Sequence, residues 1–350
     1  MQYPCRESHN FRAFGQNAER NQAGALVHVP LARTNPAYWQ EYHSYVTNEK
    51  FMKTLQARLP FVLFVLAAFA PANPKCSAQN PPEWKPVESA LGRTGKLQPD
   101  GTLKFGMPRQ DLKVTVAGTP IKPGLALGSW CAFSSSGDNS MVMGDLVLIE
   151  DEVAPVMAKL QAGDIEITAL HNHVLHESPR VMYMHIAAHG NAAKLAQAIH
   201  EALAETGTPT ETPAAANPTK INLDTDKIDQ ALGRKGKDNG GIYQFAVARA
   251  ETIRDHGMEI PASMGVATAL NFEPNGNGKA AITGDFVLIG SEVNPVISAL
   301  RENGIQVTAL HSHMLSEDPR LFFMHFWAND DAVKLAQGLK AALDRTNSKK

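Results

Sequence analysis

The sequence predicts an α+β protein built from two tandem homologous domains, each an antiparallel sheet with helices on one face. Three observations lead there. Residues 144–203 align without gaps on residues 284–343, with about half the positions identical, which marks an internal duplication. Within each copy, β-rich runs and helical stripes alternate in the order of a ferredoxin-like split βαβ unit. Between the copies lies a stretch rich in Thr, Pro and Ala (ETGTPTETPAAANPT, 205–219) with no apolar periodicity, which reads as a linker. The domains are accordingly placed at 86–204 and 223–346, with the linker at 205–222.

In copy one, residues 103–107, 112–116 and 129–134 are predicted strands, followed by 141–149 (MVMGDLVLI), a run of β-formers. Residues 152–161 carry Val153, Val156, Met157 and Leu160 at helical spacing, and Pro155 fits only a first turn. Gly163-Asp164 stops that helix. Residues 165–174 and 181–188 form two strands joined by a tight turn centred on Pro179, and 192–203 is a second amphipathic helix. Copy two repeats the scheme.

Ahead of the repeats, residues 52–78 read as a signal peptide. Lys53 and Arg58 precede a twelve-residue apolar run, LPFVLFVLAAFA, and small residues follow up to Ala78. Twelve residues fall short of the about 20 needed to span a bilayer. An exported, periplasmic or extracellular protein is expected, with no membrane span after cleavage. Cys76 lacks the small-apolar run that lipid attachment favours. Residues 1–51 read as an unstructured upstream extension. The net charge of -2 and the absence of a basic, aromatic-laced stripe argue against a nucleic-acid partner. Cys5, Cys76 and Cys131 form neither a zinc ribbon nor a disulfide framework, and Cys131 reads as a small buried side chain.

The chemistry concentrates in one pattern that occurs twice. His171, His173, Glu177, Arg180 and His185 recur as His311, His313, Glu317, Arg320 and His325. Three imidazoles and a carboxylate suit a divalent ion, so one site of three histidines and a glutamate is expected per repeat. Strand alternation puts His171 and His173 on one face. With Pro179 and Pro319 at the turn centres, His173 would lie opposite His185, and His313 opposite His325. The ligand set suits zinc first, then manganese or iron, then copper. Methionines crowd the region, but Met184 and Met314 sit next to histidines and should point to the opposite face, into the core. His176 and His189 have no histidine counterparts in copy two and read as surface residues.

Three functions fit this pattern: an exported divalent-metal-binding protein; a periplasmic metal-dependent, hydrolase-like enzyme with Glu177 or Glu317 as general base; and a metal-free module that holds a small anionic ligand through Arg180 or Arg320. The blocks GDLVLIEDEVAPV, TALHNHVLHESPR and MYMHI, with their second-copy versions GDFVLIGSEVNPV, TALHSHMLSEDPR and FFMHF, resemble the LppY/LpqO group, also called the DUF1259 family, of exported bacterial proteins and lipoproteins. The resemblance implies an exported protein and supplies no catalytic residues.

Overall fold

The computed structural model describes residues 83–135, 137–209 and 220–350. The extension 1–51, the signal segment 52–78 and linker residues 210–219 lie outside the described residues. Both repeats belong to one compact unit, Ser77–Lys350.

Repeat one runs α1 (Lys85–Leu91), β1 (Lys96–Leu97), β2 (Leu103–Pro108), β3 (Gly128–Ser134), β4 (Ser140–Leu148), α2 (Glu150–Ala162), β5 (Glu166–His171), β6 (Met182–Gly190) and α3 (Ala192–Leu203). Its sheet has the order β1-β2-β3-β4-β6-β5, with every pair antiparallel. β6 therefore lies between β4 and β5, which α2 connects, and this is the expected split βαβ. Repeat two repeats the order with α4 (Thr225–Leu232), β7 (Lys237–Asn239), β8 (Ile242–Ala248), β9 (Ala267–Pro274), β10 (Lys279–Ile289), α5 (Val293–Glu302), β11 (Gln306–His311), β12 (Leu321–Asp331) and α6 (Ala332–Leu343). The protein is thus a tandem of two α+β domains.

Alternation along the strands decides how the layers stack. Val142, Leu146 and Leu148 of β4 and Met184, Ile186 and Ala188 of β6 pack under the helices with Val156, Leu160, Leu195 and Ile199. The opposite face, Met141, Met143, Val147, Tyr183 and Ala187, packs against the second repeat, meeting Ile242, Ala281, Trp327, Met264 and Phe323. The two sheets lie face to face, with helices on the outside of each. All nine residues of β4 are buried, which explains why its sequence is apolar on both faces rather than alternating, apart from Ser140 and Asp145.

Two details depart from the sequence reading. Residues 112–116 do not join the main sheet; Thr115–Val116 pairs with Thr119–Pro120 and with Glu177–Ser178 in a small separate sheet. The helix expected from residue 152 starts at Glu150, so Pro155 lies inside α2 rather than in its first turn. In copy two a 3-10 turn, Gly290–Glu292, precedes α5 and leaves Pro295 near the helix start.

An arginine is buried at the same place in each repeat. Arg109 donates from Nη1 to the Val147 carbonyl (2.7 Å) and to Glu152 (2.7 Å), and also pairs with Asp111. Arg249 repeats this with Val287, Glu292 and Glu251. Glu152 accepts from the Ile149 and Gly207 N–H groups as well, so the network ties the end of β4 to α2 and to the start of the linker.

Candidate metal centre

β5 and β6 carry the first set of side chains. His171, the last residue of β5, pairs with Tyr183 of β6. His185 pairs with Ala169 on one side and with Asp145 of β4 on the other. In copy two His311 pairs with Phe323, while His325 lies between Ala309 and Asp285. The register expected from turns centred on Pro179 and Pro319 is therefore incorrect. Pairing ends at His171 and His311, so His173 and His313 lie beyond the strands; a register shift between Ile167 and Ala169, matched by one between Val307 and Ala309, lies farther from the turn. The intervening chain makes a wider loop because its backbone pairs elsewhere, Glu177–Ser178 with Thr115–Val116 and Asp318 with Arg254.

His173 nevertheless returns to the cluster. Its ring stacks on Tyr183 with centres 3.3 Å apart, as His313 stacks on Phe323 at 3.4 Å. Its Nε2 lies 3.4 Å from Asp145 Oδ2, and His313 Nε2 lies the same distance from Asp285 Oδ2.

All six histidines meet between the two sheets. Within each repeat the ring centres are about 5 Å apart: His171–His173 5.0 Å, His171–His185 5.0 Å, His311–His313 4.8 Å and His311–His325 4.9 Å. Between repeats three pairs lie closer, His173–His325 at 3.8 Å and His185–His313 at 3.7 Å stacked and His171–His311 at 3.6 Å tilted, while His171–His325 and His185–His311 lie at 5.4 and 5.6 Å. Donor atoms within 4.8 Å of one another define four overlapping groups here: Asp145/His173/His185, Asp285/His313/His325, His171/His173/His325 and His171/His185/His311/His313.

Hydrogen bonding orients several rings. His171 Nδ1 lies 3.1 Å from the Asn172 carbonyl and His325 Nδ1 2.9 Å from the Gly284 carbonyl; His185 also bonds to the Gly144 backbone. A carbonyl only accepts, so the bonded nitrogen carries the proton; in His171 and His325 the lone pair is left on Nε2. Gly144 and Gly284 let β4 and β10 approach their neighbours: a Cβ on Gly144 would lie 2.7 Å from the Trp130 carbonyl oxygen, and one on Gly284 would collide with that of Ala269.

The Nε2 atoms of all six histidines, with Asp145 Oδ1 and Asp285 Oδ1, are buried and make no hydrogen bond. Burial drives the imidazoles toward the neutral form, His171 to about 4 and His325 to about 3. His173, His185, His311 and His313 also fall well below the ordinary range, through burial and then the neighbouring rings. Burial pushes Asp145 up to about 8; Asp285 rises too, through burial and then the charge of Asp145.

Glu177 and Glu317 belong to none of these groups. Glu177 Oε1 accepts from the Val181 N–H (3.0 Å) and from Asn172 Nδ2 (3.1 Å). Glu317 accepts from the Leu321 N–H (2.9 Å) and from Arg320 Nη1 (3.2 Å). Each closes its own loop. Arg180 and Arg320 are exposed, and Arg320 also donates to the Met314 and Leu315 carbonyls. Asp145 and Asp285 are the carboxylates beside the histidines, and sequence reasoning missed them. The available signal was one acid in the middle of an otherwise apolar strand, at the same place in both copies (GDLVLI and GDFVLI).

The two halves are not identical around the cluster. Lys104 on β2 is half-buried, donates to the Ser263 carbonyl (2.9 Å) and lies over the Trp130 ring at 4.1 Å. Burial pushes its ammonium down to about 8, opposed by Cys131, Asp100 and Asp145. Its counterpart in copy two is Gln244.

A duplicated α+β chain with a buried His/Asp cluster between its halves is what fold and site together define. The profile of the Domain of Unknown Function (DUF1259) matches residues 85–205 and 226–345, so the chain belongs to the DUF1259 family. No curated protein matches it. Among solved structures, a trimeric bacterial microcompartment shell protein, PduB, is similar at 13% identity and a TM-score of 0.19, over 73% of this chain and 91% of that one.

Proposed function

We propose that this protein binds divalent metal, with one set of three histidines and an aspartate in each repeat. The supporting observation is the gathering of six buried, unpartnered Nε2 atoms at one place. A buried polar atom left without a partner costs about 1–3 kcal/mol, and a metal ion satisfies every such lone pair at once. The site's chemistry fits: the imidazoles are neutral, at least two have a hydrogen-bonded Nδ1, and carboxylates stand beside them.

Ring spacing supports a partition by repeat. With metal–nitrogen bonds of about 2.0–2.1 Å and near-tetrahedral angles, two imidazoles on one ion hold their ring centres about 5 Å apart. Ring centres 4.8–5.0 Å apart within each repeat match that value. Pairs at 3.6–3.8 Å are too close to share an ion. One set is then His171, His173, His185 and Asp145, and the other His311, His313, His325 and Asp285. Aspartate takes the place the sequence suggested for Glu177 and Glu317. Zinc is the ion of first choice, ahead of manganese, iron and copper.

The hydrolase-like alternative with glutamate as general base loses support, because each glutamate bonds within its own loop and neither belongs to a histidine group. The reading also keeps export, resting on the segment at 52–78; among the described residues no helix is long and apolar enough to cross a membrane.

Metal analysis of the full chain, alongside His173→Ala and His313→Ala variants, tests the reading. Each substitution should remove ion from protein that still folds by circular dichroism. Wild-type protein that takes up no zinc after stripping and reloading would overturn it.

A further inference from the structure

We infer that the two metal sets form a single dinuclear centre rather than two independent sites. This rests on the metal reading above and adds to it the relation between the ions. Eight donor side chains converge between the sheets, more than one ion accepts. The Asp145/His173/His185 and Asp285/His313/His325 groups each provide a carboxylate and two imidazoles from one repeat. The remaining groups cross the boundary: His171, His185, His311 and His313 all place a nitrogen within 4.8 Å of one another, as do His171, His173 and His325. An ion bound about 2 Å from the nitrogens of one repeat thus lies within a few ångströms of nitrogens that hold the other ion.

The close cross-repeat pairs leave no layer of protein between the sets. His171 rests on His311, His173 on His325 and His185 on His313, in the crossed arrangement that a pseudo-twofold axis produces. Two adjacent ions place about four positive charges in a buried interior, and Asp145 and Asp285 are the carboxylates present to offset them. Two-metal sites of this kind hold their ions about 3.5–4 Å apart.

Copper(II) is the probe, because it binds nitrogen sites tightly and carries an unpaired electron. Stripped full-length protein is titrated with copper(II) and followed by metal analysis and electron paramagnetic resonance. The expected result is two ions per chain. The isolated-ion signal should grow with the first equivalent and then broaden or vanish with the second as the spins couple. In Asp285→Asn/His313→Ala protein one ion should remain, with an uncoupled signal. Two ions whose signal integrates to two isolated spins would overturn the dinuclear centre and leave metal binding intact. One ion per wild-type chain would overturn it equally. No copper uptake would overturn the metal reading itself.

Discussion

At the scale of single residues, Asp145 is the clearest point of tension. Its carboxyl is raised by burial to about 8, so between about pH 4 and pH 8 the folded, metal-free protein holds a proton that the unfolded chain has released. Stability of the stripped protein therefore falls as pH rises through that window. The histidines act in the opposite sense: depressed to about 4 at His171 and about 3 at His325, they cost stability as pH drops below about 6.5, where the unfolded chain takes up protons. Stripped wild type should be most stable near pH 6–7 in thermal melts. Asp145→Asn should flatten the alkaline side and keep the acid side; an unchanged alkaline slope would refute the assignment. Glu177 gives a second residue-scale test. Glu177→Gln keeps an acceptor for the Val181 N–H and should leave metal content unchanged, whereas Glu177→Ala should lose about 1–3 kcal/mol in denaturant melts. Loss of ion in the Gln variant would instead make the side chain a ligand.

At the scale of elements, the buried arginines hold strand to helix. Arg249→Leu leaves Glu292 buried without its partner, a defect of about 3–5 kcal/mol. A loss below about 1 kcal/mol in urea melts would show the network to be dispensable. This scale also shows what was legible in the sequence. The duplication, the order of the elements and the six histidines were readable, because periodicity and repetition are local properties of the chain. The hairpin register was not, because the end of pairing at His171 and pairing of the loop with Thr115–Val116 are tertiary events. Asp145 and Asp285 escaped notice for a related reason. An acid within an apolar strand acquires meaning only once both faces of that strand are known to be covered, and the second cover is the other repeat.

At the scale of the whole molecule, each repeat depends on its twin. Met141, Met143, Ala187 and Tyr183 would face water in repeat one alone. A fragment spanning residues 83–209 should therefore pair with itself or aggregate. A stable monomer in sedimentation would contradict the face-to-face packing. Zinc at about one hundred times its dissociation constant should stabilise the intact chain by about 2.7 kcal/mol per ion, readable as a rise in melting temperature.

Lys104 stands half-buried in one repeat, while the equivalent place in the other holds an uncharged amide. An assembly of two identical single-repeat chains would carry this cation twice or not at all. Fusion into one polypeptide permits it once. On the proposed metal reading the two sites then differ in electrostatic potential, the one in the repeat that carries Lys104 being the more positive.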